Sequence, residues 1–239
     1  MQLDTFMTGK SSLYRYTLML TVGLSAVVLL TLSWPRLRAS LNYLPVDTAI
    51  SNYWKTRQID NAQLDGLIKK AEESIAIYNH YRYQAGLSEL KILSGQDMSR
   101  SLWQRRQAME DAITAAENVV RRAPARPREW LRIARAKEFL AYPAEEIMPA
   151  FKMSILTGRV EPSLMLMRLE LGLRQLPMMD EEAVRLLRDQ ALLTWANQKR
   201  PMQKRIESGH VNINQLRELL AESNPDVVRE MDGGGEDNG

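Results

Sequence analysis

The chain contains no cysteine, and its only two histidines are His80 and His210. The absence of cysteine excludes disulfide frameworks, thiolate zinc sites, iron–sulfur clusters and cysteine nucleophiles. Two histidines leave little basis for a histidine metal site or a Ser–His–Asp arrangement. No segment alternates apolar and polar residues as a half-buried strand does, so we predict an all-α fold.

Motifs that carry catalysis or bind cofactors are also missing. The sequence contains no G-x-G-x-x-G, H-E-x-x-H or G-x-S-x-G pattern. The stretch from Thr8 to Ser11 ends like a phosphate-binding loop, but Asp4 occupies the position of its first glycine. Acidic clusters at Glu145 and Asp180 lie at predicted helix starts, where interaction with the helix dipole explains them. The sequence therefore predicts a non-enzymatic protein without catalytic residues, cofactor or metal.

Arginine is abundant although the net charge is small. The 32 basic residues include only nine lysines, and the formal net charge of +3 does not indicate a nucleic-acid partner. The densest basic cluster surrounds a predicted interhelical turn and supplies five candidate partner-binding residues: Arg121, Arg122, Arg128, Arg132 and Arg135. Such a cluster suits a carboxylate-bearing or phosphate-bearing partner, including an acidic glycan. The commoner alternative is a solvated face interspersed with Glu and Asp.

Residues 16–34 form one long apolar run. No charge falls between Arg15 and Arg36, and a helix over this run rises about 28 Å, close to the roughly 30 Å hydrocarbon core of a bilayer. Aromatic side chains at both ends favour the membrane interface. We predict an uncleaved transmembrane helix that Pro35 ends. A cleaved signal peptide is one alternative, although its apolar core is usually ~7–15 residues, and a buried core helix is another, which the missing polar face disfavours.

The remaining chain divides into predicted parts on either side of this helix. These are an N-terminal tail (1–15), a juxtamembrane connector (35–59), a helical domain (60–200), a C-terminal region with one short helix (201–229) and a disordered acidic tail (230–239). Within the connector, a loop is predicted at Leu44 to Asp47. Within the helical domain, Asp60 and Asp180 are predicted to start helices, and Pro201 is predicted to end one.

Small residues and prolines recur at the spacing of tetratricopeptide repeats. Ala116 lies on one predicted helix, Pro124 closes that helix, and Trp130 opens the next. A shift of 35 residues places Pro162 on Pro127, near the nominal period of ~34. The second copy lacks the closing proline and the tryptophan. We predict a degenerate tetratricopeptide-like solenoid of helical hairpins, which presents one concave face to a partner.

Two segments carry a resemblance to a known family. They read SILTGRVEP from Ser154 to Pro162 and RLELGL from Arg168 to Leu173. Together with residues 115–153, they resemble the VpsP-like family of bacterial proteins that are encoded with exopolysaccharide biosynthesis genes. The resemblance implies one N-terminal membrane helix, a tetratricopeptide-like domain in the periplasm and a role in envelope polysaccharide assembly. It implies no catalytic residues.

The side of the membrane is open from the residues alone. The basic residues that flank the apolar run would leave the large domain cytoplasmic by the positive-inside rule, whereas the resemblance implies an inner-membrane protein with a periplasmic domain. The predicted function is a non-catalytic scaffold that binds proteins of an exopolysaccharide biosynthesis or export complex. The alternative is a translocon-associated periplasmic chaperone or envelope assembly factor. We also predict that joint neutralisation of Arg128, Arg132 and Arg135 weakens partner binding without unfolding.

Overall fold

A computed structural model of the chain describes residues 4–56, 58–221 and 223–233. Its elements in chain order are α1 (Asp4–Thr56), α2 (Asn61–Ile77), α3 (Tyr81–Gln96), α4 (Leu102–Val120), α5 (Pro127–Phe139), α6 (Ala144–Leu156), α7 (Pro162–Gln175), a 3₁₀ turn (Leu176–Met178), α8 (Glu181–Glu207), α9 (Ile213–Ala221) and α10 (Pro225–Gly233). The described residues include no strand, so the all-α prediction is confirmed. Contacts divide the chain into two units, Met1–Tyr83 and Gln84–Gly239.

The first unit is built on α1, a single helix of 53 residues. At 1.5 Å per residue it is about 80 Å long. The stretch Arg15–Thr56 is long and apolar enough to cross a membrane, and none of its most apolar 18-residue window is buried. The prediction of a long apolar helix near the N-terminus is therefore confirmed.

Two prolines that were predicted to interrupt the chain lie inside α1. Pro35 does not end the helix, and Pro45 does not lie in a loop, so the predicted connector is helical up to the last residue of α1. An interior proline costs about 3 kcal/mol because it removes a hydrogen bond and crowds the preceding turn. Burial of Ala39, Tyr43 and Val46 within the first unit offsets this cost. The local cost of proline is thus outweighed by side-chain packing.

Helix α2 packs against α1 in the first unit. It begins as predicted at Asp60, whose carboxylate accepts a hydrogen bond from the backbone N–H of Ala62 at 2.9 Å. Asn42 of α1 donates to the hydroxyl of Ser74 at 3.0 Å and to the carbonyl of Lys70 at 3.2 Å, which joins the two helices.

The second unit packs successive helices against one another. Helix α5 contacts α4, α6 and α7, and α8 contacts α6, α7 and α9. Helix α4 starts with a complete capping box between Ser101 and Gln104. Close packing requires glycine at position 172, because an added Cβ would lie 2.4 Å from a methyl carbon of Leu187. The core extends continuously from α4 to α9.

The C-terminal part differs from the prediction in two places. Pro201 does not end α8, which continues to Glu207 after a non-helical residue at Gln198. The kink accommodates the proline, and burial of Met202 just beyond it stabilises the last turns. The predicted short helix corresponds to α9, whereas α10 covers residues that were predicted to begin the acidic tail. The rest of that tail, residues 234–239, lies outside the described residues.

Candidate partner-binding surface

The five candidate arginines do not share one exposed surface. Arg121 and Arg122 are exposed at the C-terminal end of α4. The Arg121 guanidinium lies 3.5 Å from the carboxylate of Glu117, one helical turn earlier, and its side chain is 68% exposed. An ion pair this exposed contributes little stability. This end of α4 is the part of the predicted cluster that a partner can reach.

Arg128 and Arg135 connect α5 to α7. The Arg128 guanidinium donates to the hydroxyl of Ser163 at 3.1 Å, and the Arg135 guanidinium contacts the sulfur of Met167 at 3.3 Å. Both residues are half-buried. They are spaced two helical turns apart on α5, so they follow the line along which α7 packs. Their side chains are therefore partly engaged within the domain.

Arg132 lies in the interior between two carboxylates. Its guanidinium donates to both carboxylate oxygens of Glu129 at 2.7 Å, to the carbonyl of Ala85 at 2.9 Å, and forms an ion pair with Glu89. The Arg132 side chain is 12% exposed, and the two carboxylate side chains are each 6% exposed. This buried triad joins α3 to α5.

The triad holds more negative than positive charge when both carboxylates are ionised. Burial raises the pKa of Glu129 to about 8, and attraction from the guanidinium groups of Arg128 and Arg126 opposes this rise. A single cation between two buried carboxylates favours uptake of one proton, because the low-dielectric interior penalises the excess charge. The geometry is that of a structural ion cluster, and Arg132 is unavailable to a partner in the folded protein.

The same unit contains a second buried arginine that sequence reasoning missed. Arg168 of α7 is fully buried, and burial lowers its pKa to about 10. Its guanidinium donates to the hydroxyl and carbonyl oxygens of Ser154, the carbonyl of Gly158 and the side-chain oxygen of Gln190. Two of these acceptors are carbonyls at the C-terminal end of α6, where a cation interacts favourably with the helix dipole. Arg168 lies four residues after Leu164, which is also buried, so both residues are on the same face of α7. This spacing was the sequence signal that could have indicated its burial.

An exposed apolar cluster at the start of α4 was also missed. Met98, Leu102 and Trp103 are 78%, 64% and 72% exposed. The turn that carries them is fixed by hydrogen bonds from Ser99 to Asp97 and by the capping box of α4. Large exposed apolar side chains on a rigid turn are typical of a contact surface.

A cavity of about 410 Å³ lies beside α6, and its wall includes Met148, Pro149 and Met178. Lys152 closes one side, with its ammonium 2.7 Å from Asp180 and 2.6 Å from a second carboxylate. These contacts raise the pKa of Lys152. Met178 is exposed in this wall, whereas Met165 of α7 is fully buried in the core.

The described residues contain no cluster of three or more histidine or carboxylate side chains that could hold a metal ion. Comparison with known proteins finds no matching family model, curated protein or solved structure. The partner-binding role of the arginines remains a prediction.

Proposed function

We propose that the chain is a non-catalytic, membrane-anchored interaction protein. The observation that carries this proposal is the unburied apolar stretch of α1. Leu20, Leu24 and Leu30 are each more than 60% exposed within a window whose residues are all unburied. An exposed apolar surface of this length is unfavourable in water and favourable in a bilayer. A bilayer around this stretch of α1 is therefore the environment that its exposed apolar side chains favour.

The continuity of α1 favours a permanent anchor over a cleaved signal peptide. The same helix that carries the apolar stretch continues through Pro35 to Ala39, Tyr43 and Val46, which are buried in the first unit. A signal peptide has a shorter apolar core, of about 7–15 residues, followed by a cleavage site of small residues. Cleavage here would cut an intact helix next to its packed portion, so the anchor is the better interpretation.

We propose that the second unit is a degenerate tetratricopeptide-like array. Helices α5 and α7 both begin with a proline in their first turn, at Pro127 and Pro162. Packing of α5 on both α6 and α7, and of α8 on both α7 and α6, is the pattern of stacked helical hairpins. The carbonyl of each proline accepts a side-chain hydrogen bond from the hairpin's second helix, from Ser154 and from Gln198.

The partners that we propose are proteins of an exopolysaccharide biosynthesis or export complex at the bacterial inner membrane, with the helical unit in the periplasm. The support is the VpsP-like resemblance together with the arginine-rich surface at Arg121 and Arg122. An acidic glycan is a further partner that such guanidinium groups suit.

A second candidate is the periplasmic chaperone or envelope assembly factor. The observation that favours it is the exposed cluster of Met98, Leu102 and Trp103, because such a surface suits apolar segments of unfolded clients. A scaffold and a chaperone differ in the range of proteins that they bind, so the identity of the bound proteins distinguishes them.

Crosslinked pull-down of the full-length protein from native membranes tests both candidates. Recovery of glycosyltransferases, a chain-length regulator or a polysaccharide exporter would support the scaffold. Recovery of translocon subunits with many unrelated secreted proteins would refute it and leave the chaperone. Two matched variants locate the surface: Arg121→Gln with Arg122→Gln should reduce recovery of an acidic partner, and Trp103→Ala should reduce recovery of apolar clients.

A further inference from the structure

A cavity of about 490 Å³ lies between α1 and α2 in the first unit. Arg38 and Asn42 of α1 line one side, and Glu73, Ala76 and Ile77 of α2 line the other. All five residues belong to the first unit, whose two helices are joined by the hydrogen bonds of Asn42. The cavity thus has walls that are fixed relative to each other.

The position of this cavity along α1 corresponds to the depth of lipid headgroups. Arg38 follows Trp34 by one helical turn, or about 6 Å along the axis. The polar region of a bilayer adds about 5–7 Å on each side of the hydrocarbon core. When residues 16–34 cross the bilayer, Arg38 therefore lies in the headgroup layer, and Asn42, about 12 Å beyond Trp34 along the axis, lies just outside it.

The cavity wall carries two opposite charges that do not neutralise each other. Arg38 and Glu73 are both exposed, and neither forms a salt bridge with any residue in the described part of the chain. Both amide hydrogens of Asn42 are used by α2, so its carbonyl oxygen is available as an acceptor. The site therefore offers one guanidinium donor and two acceptor groups, the Glu73 carboxylate and the Asn42 side-chain carbonyl.

Aromatic side chains lie at the C-terminal end of α2 and in the residues that follow it. The Arg36 guanidinium lies 5.2 Å from the ring centre of Tyr78, Tyr78 stacks on His80 at 6.1 Å, and His80 contacts Tyr81 at 4.4 Å. Tyrosine is enriched at membrane–water interfaces because its ring is apolar and its hydroxyl is polar. Tyr78 directly follows Ile77 of the cavity wall, so side chains that suit a membrane interface adjoin the cavity.

We propose that this cavity binds the headgroup of a phosphoethanolamine lipid. The lipid phosphate binds the Arg38 guanidinium, and the ammonium binds the carboxylate of Glu73 and the carbonyl oxygen of Asn42. A choline headgroup has no N–H to donate, and a glycerol headgroup has no cation, so both satisfy only part of the site. The proposal rests on the membrane anchoring proposed above.

Native mass spectrometry of the delipidated full-length chain in detergent measures this preference. Phosphatidylethanolamine, phosphatidylcholine and phosphatidylglycerol with identical acyl chains are added separately, and the retained lipid is counted. We expect about threefold or greater retention of phosphatidylethanolamine over phosphatidylcholine, as one charge-assisted contact at a partly exposed site implies. Glu73→Gln should abolish the preference, and Arg38→Gln should lower retention of all three lipids.

Matched controls separate the lipid site from general effects. Lys55→Gln removes a positive charge from the same helix about 25 Å beyond Arg38, and it should leave the preference unchanged. Far-UV circular dichroism should show equal helix content in all variants. Soluble glycerophosphoethanolamine supplies the same phosphate and ammonium without a bilayer, and it should compete only weakly.

Three outcomes would overturn the lipid site: equal retention of the three lipids by the unaltered chain, an unchanged preference in Glu73→Gln, or full displacement by the soluble headgroup. Carbonate extraction of the same chain from membranes tests the anchor separately. Release into the soluble fraction refutes the proposed function, whereas membrane retention without lipid preference refutes the lipid site alone.

Discussion

Replacement of Arg132 by glutamine is expected to destabilise the second unit by about 3–5 kcal/mol at pH 8.5, above the pKa of Glu129, because ionised carboxylates then stay buried without their partner. The two carboxylates that it holds, those of Glu89 and Glu129, are each only 6% exposed, so water cannot replace the guanidinium. The variant also loses the hydrogen bond to the carbonyl of Ala85, which contributes about 1 kcal/mol. This expectation replaces the sequence-based prediction that Arg132 can be neutralised without unfolding.

The pH dependence of stability provides a second readout of the same triad. The pKa of Glu129 is raised from 4.5 to about 8 on folding, so the folded chain holds one more proton than the unfolded chain between these values. The free energy of unfolding therefore falls as pH rises through this range, by at most about 1.4 kcal/mol per pH unit. The contribution of Glu129 to the free energy of unfolding is fully present below pH 4.5. Without Arg132 the fall should be steeper, because two buried carboxylates then lose their cation.

Urea unfolding of the full-length chain in detergent, followed by tryptophan fluorescence at pH 5 and pH 8.5, measures both effects. Lys137→Gln is the matched control, because it removes a charge from the same helix and loses only an ion pair with the exposed Glu146 and contacts at the end of α5, away from the triad. Addition of Glu89→Gln to Arg132→Gln should restore part of the stability. The reasoning is refuted if Arg132→Gln is as stable as the control at pH 8.5, or if its stability is the same at both pH values.

Other substitutions test separate parts of the structure. Arg168→Met should destabilise the chain by about 3 kcal/mol or more in urea, because several buried acceptors lose their donor; an unchanged midpoint would contradict this. Gly172→Ala should cost about 1–3 kcal/mol, since its new methyl group meets Leu187, and thermal unfolding measures the loss. Ala141→Gly should raise stability by up to about 1 kcal/mol, because Ala141 has a φ of 60°. Leu24→Arg should weaken membrane insertion by about 2.5–3.5 kcal/mol, seen as increased release by carbonate.

Helix starts were predictable because their signals are local. The carboxylates of Asp60 and Asp180 accept hydrogen bonds from their own first turns, and neighbouring sequence is sufficient to specify that geometry. Prolines were misleading as stop signals at positions 35, 45 and 201 because their effect competes with tertiary packing. The burial that outweighs it involves side chains elsewhere in the unit, and no local pattern reports that burial.

The sequence was sufficient to locate the arginine cluster, but it could not show which of its side chains are exposed. Clustering of arginine in the sequence located the turn between α4 and α5, yet it could not distinguish the exposed Arg121 from the buried Arg132. The difference depends on Glu89 of α3, which is remote in sequence and supplies the second carboxylate. Arg168 was missed for a related reason, because its four acceptors come from α6, α8 and the loop after α6.

Single-cysteine labelling tests most directly whether α1 anchors the helical unit across a membrane. The chain has no cysteine of its own, so Ser12→Cys and Ser208→Cys each introduce one thiol, the first before the apolar run and the second at the exposed residue that follows α8. In spheroplasts, a membrane-impermeant maleimide should label Ser208→Cys and leave Ser12→Cys unlabelled until the membrane is permeabilised, with both proteins in the membrane fraction. Equal labelling of the two positions, or a shortened soluble product that lacks residue 12, would contradict a transmembrane anchor.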